Sequence, residues 1–190
     1  MENIQATQLC REFIRRQVKR GDLCIDGTAG NGYDTLLLSR LAGEDGLVLA
    51  FDVQEKALDA TARRLKEAGQ AGRSPVRLIC DGHERMAEYA ATETVSCIVF
   101  NFGYLPGGDH SVATRPETSA AAVQAALSLL KKGGLLSLCI YSGGDTGFRE
   151  RERLLELLQG LDSRKYLVIC CEYYNRENFP PLPVQVARLA

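Results

Sequence analysis

The chain lacks several features that mark large classes of protein. Its 190 residues include two histidines, and none of its seven cysteines belongs to a C-x-x-C pair, so a metal centre is not expected. No apolar run approaches the roughly 20 residues that span a bilayer. The opening residues M-E-N-I-Q-A-T-Q lack the basic start and the apolar stretch of a secretory signal. We therefore expect a cytoplasmic protein that binds no metal, spans no membrane and keeps its cysteines reduced and buried.

An excess of charge of one sign is also missing, because 23 basic residues offset 24 acidic ones and leave a net charge of −1. A nucleic-acid partner would therefore need a local basic patch. One candidate patch lies on a helix predicted at about 3–19, whose apolar side is formed by Leu9, Phe13 and Val18. A solvated helix face explains these charges equally well. The basic residues of this helix are Arg11, Arg15, Arg16, Lys19 and Arg20.

What the chain does contain is an alternation of strand-like and helix-like segments. The length suits one domain over residues 1–190, and 45% hydrophobic residues suit a globular core. Continuously apolar strands predict a parallel sheet covered on both faces, while the last two strands, with no room for a crossover helix, should pair antiparallel. We predict an α/β fold with a seven-stranded, mostly parallel sheet, a C-terminal antiparallel strand and helices on both faces. Strands are predicted at 23–26, 47–52, 76–80, 95–100, 135–141, 166–172 and 184–189, and further helices at 34–42, 54–68, 84–90, 116–131 and 147–159.

The stretch D-G-T-A-G-N-G directly follows the first predicted strand and precedes a helix. An acid, a glycine-rich turn and a helix N-terminus in this order are typical of a site for a nucleotide-like cofactor. The dinucleotide pattern G-x-G-x-x-G/A fails because Thr35 stands at its last position. The stretch instead resembles motif I of the S-adenosylmethionine-dependent methyltransferases, with Thr28 at the first glycine position. A turn that binds no ligand is the plainer alternative. The candidate cofactor-binding residues of this stretch are Asp26, Thr28, Gly30, Asn31, Gly32, Asp34 and Thr35.

Ligands of an open parallel sheet bind outside the carboxyl ends of its strands, so the residues at those ends are further candidates. Asp52 ends the second strand, where a carboxylate can accept hydrogen bonds from ribose hydroxyls, and Gln54 follows it. A helix N-cap is the alternative role of Asp52. Asp81, Gly82 and His83 follow the third strand, where methyltransferases commonly contact the adenine edge. Asp81 could instead cap the next helix, and His83 could be an exposed residue at its start.

The fourth predicted strand is followed by N-F-G-Y-L-P-G-G-D-H. The first four letters resemble the [D/N]-P-P-[Y/F] motif of enzymes that methylate exocyclic amines, with Phe102 and Gly103 in place of the prolines. In that motif the Asn or Asp side chain accepts a hydrogen bond from the target nitrogen, and the aromatic ring stacks on the base. A turn alone would explain the glycines but not the polar residues around them. The candidate catalytic residues are Asn101, Tyr104, Asp109 and His110.

Together with Y-S-G-G at 141–144 and Glu150, these stretches resemble the bacterial tRNA 5-(aminomethyl)-2-thiouridine methyltransferases, once labelled rRNA methylases. The resemblance runs from about residue 8 to the prolines near residue 181, and G-Y-L-P-G-G-D-H is its most specific string. It implies a Rossmann-like methyltransferase fold, S-adenosyl-L-methionine as the cofactor, the anticodon region of tRNA as a partner, and a homodimer. Two positions depart from the family pattern, which usually has His at Tyr33 and often has His at Gly144.

The resemblance also implies a reaction, the methylation of the 5-aminomethyl group of a wobble (2-thio)uridine. The amine must be neutral to attack, because an ammonium group has no lone pair. We expect Asn101 to orient the amine, Asp109 or His110 to accept its proton, and Tyr104 to stack on the uridine ring. The alternatives are an rRNA or small-molecule methyltransferase with the same cofactor site, an NAD-dependent oxidoreductase, and a cofactor-binding protein without catalysis.

Overall fold

The computed structural model describes residues 5–69, 72–103, 114–142 and 144–190, and for 144–146 the backbone alone. Its elements alternate along the chain as the sequence predicts. In chain order they are α1 (Ala6–Gln17), β1 (Leu23–Asp26), α2 (Tyr33–Ala42), β2 (Leu47–Asp52), α3 (Glu55–Glu67), β3 (Val76–Cys80), a 3-10 helix (His83–Glu88), β4 (Val95–Phe102), α4 (Pro116–Leu129), β5 (Leu130–Ile140), α5 (Gly144–Gln159), β6 (Tyr166–Cys170) and β7 (Leu182–Arg188).

The seven strands form one sheet in the order β3-β2-β1-β4-β5-β7-β6. All neighbouring pairs from β3 to β5 are parallel, and β7 inserts antiparallel between β5 and β6. The predicted fold class is therefore confirmed, including the antiparallel C-terminal strand. Because β1, β2, β4 and β5 run the same way, their carboxyl ends meet at one edge of the sheet.

The sheet is covered on both faces, which explains why its central strands are apolar throughout. On one face Phe51, Phe100 and Phe102 are fully buried in a core shared with α4, α5 and the 3-10 helix. On the other face a second cluster, formed with α1 and α2, buries Ile14 and Leu38 completely. Burial of this much aliphatic and aromatic surface is the main favourable contribution to folding.

Helix α1 crosses the face of β5 and β7 and buries Ala6, Cys10 and Ile14, which are four residues apart. The predicted core residues Leu9 and Phe13 are only partly buried, and Phe13 packs against the second cluster. Beyond the helix, Val18 is buried as predicted. The buried stripe leaves the opposite side of α1 exposed to solvent, and that side carries most of its arginines.

Three further predictions about local structure need correction. The segment predicted as a helix at 84–90 is a 3-10 helix over His83–Glu88. The pair Gly133 and Gly134 is predicted to end a helix and begin the next strand, but α4 already ends at Leu129 and β5 pairs with β4 from Leu130 onward. The glycines instead lie in a register shift of that pairing, which the helical pattern of the preceding residues conceals. Strand β7 begins at Leu182, earlier than the predicted start at 184, and includes Pro183.

All seven cysteines are unpaired thiols. Burial is correctly predicted for four of them, Cys10, Cys24, Cys97 and Cys139, but Cys80 and Cys170 are exposed. Cys80 lies on β3 and Cys170 on β6, and these two strands are the edges of the sheet formed by the described residues. The apolar segments alone could not show which strands would be edges.

Candidate active site

The glycine-rich turn between β1 and α2 is fixed to the strands on either side of it. The Gly27 amide donates to the carbonyl of Val99 on β4, and the Ala29 amide donates to that of Phe51 on β2. A Cβ atom on Gly27 would lie 2.1 Å from the Phe100 ring, so no larger residue fits there. Gly30 and Gly32 have φ angles of 52° and 76°, the left-handed region that favours glycine. The turn thus requires its glycines for backbone conformation and close packing.

Thr28 stands where motif I has its first glycine, and its hydroxyl explains the exchange. Thr28 Oγ1 accepts a hydrogen bond of 2.8 Å from the Asn101 amide on β4. Strand β1 ends at Asp26, whose partner on β4 is Val99, two residues before Asn101. The threonine hydroxyl therefore continues the sheet pairing for one more residue and holds the end of β4 beside the turn.

Asp26 supports the turn from below. It is fully buried, and its carboxylate accepts hydrogen bonds from the Thr28 amide (3.1 Å) and the Thr35 hydroxyl (2.6 Å). Burial, with the charge of Asp34 adding to it, raises the pKa of Asp26 to about 7. Asp26, Gly32 and Thr35 do not line the cleft described below, so we place these three predicted residues under the site.

Asp52 at the end of β2 lies across from the turn. Its carboxylate accepts hydrogen bonds from the backbone amides of Gly30 and Gln54, both 3.0 Å long. The N-cap of α3 is Gln54, so the alternative of Asp52 as the helix cap is wrong. A carboxylate has about four acceptor positions, so each Asp52 oxygen retains one for a ligand hydroxyl.

Asp81 and His83 close the same side of the site. The Asp81 carboxylate accepts from the Tyr89 hydroxyl (2.8 Å) and the Gly82 amide, and the Tyr89 bond contributes most to lowering the pKa of Asp81. His83 donates from Nδ1 to the Gly27 carbonyl at 3.2 Å and packs edge-on against Phe100 and Phe102. Burial lowers the pKa of His83, which keeps the ring neutral at pH 7.

Asn101 is held at the end of β4 by Asp34 of α2, which is itself paired with Arg11 of α1. Its Nδ2 donates to Asp34 Oδ2 at 2.9 Å, and Arg11 Nε donates to Asp34 Oδ1 at 2.7 Å. Asp34 is only 8% exposed, so this ion pair is largely out of solvent. The contact turns Arg11 into the site, whereas Arg15, Arg16, Lys19 and Arg20 remain exposed on or just beyond α1.

The other side of Asn101 is formed by the ends of β4 and β5. Gly103 donates its amide to Thr114 Oγ1 at 2.9 Å, and a Cβ on Gly103 would lie 3.1 Å from that of Tyr141. Burial raises the pKa of Tyr141, whose phenol is therefore neutral at pH 7. Nearby, buried Glu150 accepts a hydrogen bond from the Ser119 hydroxyl and has a pKa raised by burial.

The glycine-rich turn and the residues at the strand ends enclose a cleft of about 820 Å³ along the carboxyl edge of the sheet. The predicted residues that it brings together are Arg11, Thr28, Gly30, Asn31, Asp34, Asp52, Gln54, Asp81, His83 and Asn101. Gly82 lies outside the lining, and Tyr104, Asp109 and His110 lie outside the residues that the structure describes. Lining residues that we did not predict include Tyr33, Thr114, Arg115 and Tyr141. Tyr141 directly follows β5, so it could have been found by the rule that ligands bind at the carboxyl ends of parallel strands, which we call the strand-end rule.

Of the two departures from the family pattern, Tyr33 is the one whose side chain is described. It is 56% exposed at the mouth of the cleft, with the Arg64 guanidinium 3.5 Å from its ring centroid and that of Arg11 at 5.8 Å. Stacking of this kind is favourable, and an aromatic ring serves it better than a charged imidazole would. Gly144 begins α5.

Within the part of the chain that the structure covers, no group of three or more His, Cys, Asp or Glu side chains is arranged to hold a metal ion. No helix among the same residues is both long enough and apolar enough to cross a membrane.

Comparison with known proteins identifies the family. The model of a family described as "Putative rRNA methylase" matches residues 48–187. A chloroplastic tRNA (mnm(5)s(2)U34)-methyltransferase of Arabidopsis thaliana is 35% identical over 189 residues, covering 96% of this chain and 68% of that protein.

Two solved structures share both the sequence and the fold. A "putative rRNA-methylase" from Clostridium thermocellum is 41% identical with a TM-score of 0.93, and the match covers all of both chains. A "putative methyltransferase" from Streptococcus mutans, in complex with SAH, is 33% identical with a TM-score of 0.87, covering 99% of this chain and 100% of that one. This protein therefore belongs to the family described as "Putative rRNA methylase", and it is a methyltransferase with a Rossmann-like fold.

Proposed function

We propose that this protein transfers a methyl group from S-adenosyl-L-methionine to the amino nitrogen of a 5-aminomethyl group on a wobble (2-thio)uridine of tRNA. The observation that carries the proposal is Asn101, whose amide nitrogen is held by Asp34 so that its carbonyl oxygen is the end available to an amine. The plant relative named for tRNA modification at this nucleoside supports the choice of acceptor.

The methyl donor is S-adenosyl-L-methionine, in line with the relative in complex with SAH, which is S-adenosylhomocysteine. When bound, it supplies an electrophilic methyl group on a sulfonium. The cleft fits such a molecule, because Gly27 and Gly30 line it without a side chain and Asp52 keeps acceptor positions for ribose hydroxyls. Asp81 and His83 would bound the adenine. The protein mainly positions the two reactants and excludes water.

On the acceptor side, Asn101 has a defined task. Its oxygen would accept an N–H of the neutral amine and leave the nitrogen lone pair directed at the methyl carbon. As the new C–N bond would form, the methyl–sulfur bond would break to leave S-adenosylhomocysteine, and the nitrogen would become a secondary ammonium that must lose a proton. We propose Asp109 or His110 as the acceptor of that proton and Tyr104 as the ring that stacks on the uridine.

The RNA itself would contact the exposed basic residues of α1, which lie beside the cleft that Arg11 enters. Arginine side chains bind phosphate through paired hydrogen bonds, so this face suits an anticodon stem. The homodimer implied by the resemblance and the cytoplasmic location expected from the sequence stay predictions.

The second candidate acceptor is rRNA, favoured by the description of the family and of the Clostridium thermocellum structure. The two are separated by supplying labelled S-adenosyl-L-methionine to the enzyme with tRNA that carries 5-aminomethyl-2-thiouridine, with tRNA that lacks it, and with ribosomal RNA. We expect label in the first RNA alone. Label in rRNA, or in tRNA without the amine, would overturn the proposal.

A further inference from the structure

Asp34 has a position unlike that of the other acids in the cleft. It lies in the first turn of α2, and its two carboxylate oxygens are each held by a different element. Arg11 of α1 donates to one oxygen at 2.7 Å, and Asn101 of β4 donates to the other at 2.9 Å. We infer that Asp34 is a positioning residue that fixes which end of the Asn101 amide faces the acceptor amine. The inference rests on the proposed function and deepens it.

The chemistry of the pair explains why a carboxylate is needed. The two ends of an Asn amide have nearly the same shape, but one is an acceptor and the other a double donor. An ionised carboxylate is an acceptor only, so it binds the nitrogen end and directs the oxygen away from itself. An uncharged amide at position 34 would turn its own oxygen to the Arg11 guanidinium and its nitrogen to Asn101, which would reverse the Asn101 amide.

The orientation matters for the nucleophile. With its oxygen towards the amine, Asn101 accepts an N–H and leaves the lone pair available for the methyl carbon. With its nitrogen towards the amine, it would donate into that lone pair and occupy the electrons that must form the new bond. Asp34 thus selects the productive orientation without contacting either reactant in this role.

Arg11 is the second part of the device. The carboxylate of Asp34 is 8% exposed and acts on the buried carboxyl of Asp26 as a like charge. The guanidinium of Arg11, whose side chain is 27% exposed, offsets that repulsion at 2.7 Å. It also joins α1, the helix we propose for RNA binding, to the residue that orients the amine.

The test compares Asp34→Asn, Asn101→Asp and the swapped double variant. Asp34→Asn leaves two amides facing each other, and Asn101→Asp leaves two carboxylates. The double variant restores one donor and one acceptor in reversed order, with a carboxylate oxygen towards the amine. We expect each single variant to lower kcat for tRNA methylation about 10- to 100-fold, the worth of a hydrogen bond to a charged group. We expect the double variant to recover about tenfold or more over either single variant. Affinity for S-adenosylhomocysteine should stay within about threefold in all of them.

Asp45→Asn is the matched control, because Asp45 is exposed in the turn before β2, at the far end of the sheet. It should leave kcat unchanged. A double variant no faster than the slower single one, or an Asp34→Asn change that weakens S-adenosylhomocysteine binding as much as it slows transfer, would overturn the inference.

A second measurement separates this inference from the proposed function. If the unaltered enzyme methylates no tRNA, the proposed function fails, and the side-chain amide signals of Asn101 can still be followed by NMR, assigned by their loss in Asn101→Ala. A shift of these signals in Asp34→Asn but not in Asp45→Asn supports the orienting contact. Identical signals in both variants would overturn it.

Discussion

Three acids around one cleft show how much the surroundings of a residue decide its chemistry. Asp26 is buried under neutral donors, Asp34 is paired with Arg11, and Asp52 is held by two backbone amides. Burial raises the pKa of Asp26 to about 7. The same side chain serves as a structural support, an orienting acceptor and a candidate ligand for hydroxyl groups.

The raised pKa of Asp26 predicts a pH-dependent stability. Between the ordinary carboxyl pKa of 3.8 and about 7, the folded protein retains a proton that the unfolded chain has lost. The contribution of Asp26 is therefore fully present below pH 3.8 and is lost as pH rises through 7. Urea unfolding gives the free energy of unfolding at each pH. From pH 5 to pH 8 this free energy should rise by roughly 2–3 kcal/mol for Asp26→Asn relative to the unaltered protein.

Asp45→Asn serves as the control for this experiment, since its exposed carboxyl is solvated in both states. The free energy of unfolding of Asp45→Asn should follow that of the unaltered protein at every pH. If Asp26→Asn also runs parallel to the unaltered protein from pH 5 to pH 8, the burial of Asp26 does not raise its pKa.

At the scale of single residues, the strand-end rule identified Asp52, Asp81 and Asn101, all of which line the cleft. It could not identify the partnership of Arg11 with Asp34, because those residues lie 23 positions apart and meet only when α1 packs beside α2. Arg11 looked like one more member of a basic helix face. The role of Arg11 depends on how α1 is turned against the sheet, which periodicity alone leaves undecided.

At the scale of elements, α1 combines two surfaces that the sequence treats as one. Its buried stripe packs on β5 and β7, and its open side presents Arg15 and Arg16. Changing both arginines to alanine should weaken tRNA binding and make its dependence on salt shallower by roughly 1–2 units of log–log slope, because fewer counterions are released. Affinity measured across a salt series checks this, and folding should be unaffected.

Arg153→Ala with Arg164→Ala is a matched control. Like Arg15, both form exposed ion pairs with nearby acids, at 3.3 Å and 3.0 Å. They lie on α5 and ahead of β6, away from the α1 side of the cleft. An equal loss of slope in the control and in the α1 variant would mean that α1 is not the RNA-binding face.

The elements themselves were predicted well wherever polarity changes sharply at their ends. Strands β1, β2 and β3 have the predicted bounds. The α4–β5 boundary was not predictable, because the leucines and lysines there suit a helix and a strand alike. Pairing with β4, a contact distant in sequence, decides that Leu130 belongs to the strand.

At the scale of the whole molecule, the alternation of segments predicted the class of sheet, and the missing crossover predicted the antiparallel strand. The sequence could not show that β7 lies between β5 and β6, an order that makes β6 the edge strand. That order places the carboxyl ends of β1, β2, β4 and β5 side by side and so builds the cleft. The site was predictable at its strand ends because parallel strands share one edge, and unpredictable where helices supply the contacts.

The cleft as a whole predicts which cofactor stabilises the protein. S-adenosylhomocysteine at about 100 times its Kd should add about 2.7 kcal/mol to the free energy of unfolding, or about 5–10 °C in Tm for a chain of this size. NAD should leave Tm unchanged, because the turn lacks the last glycine of the dinucleotide pattern. A rise with NAD equal to that with S-adenosylhomocysteine would contradict our assignment of the turn.

The proposed acceptor of the methyl group is an amine on a wobble nucleoside, oriented by Asn101. Nucleoside mass spectrometry of tRNA bearing 5-aminomethyl-2-thiouridine, after reaction with the enzyme, tests this most directly. We predict that this nucleoside is replaced by its N-methyl derivative with the unaltered enzyme. With Asn101→Ala we predict that it is unchanged, while affinity for S-adenosylhomocysteine stays within a few-fold. Unmodified nucleoside after reaction with the unaltered enzyme would overturn the proposed acceptor. Full conversion by Asn101→Ala would overturn the proposed role of Asn101.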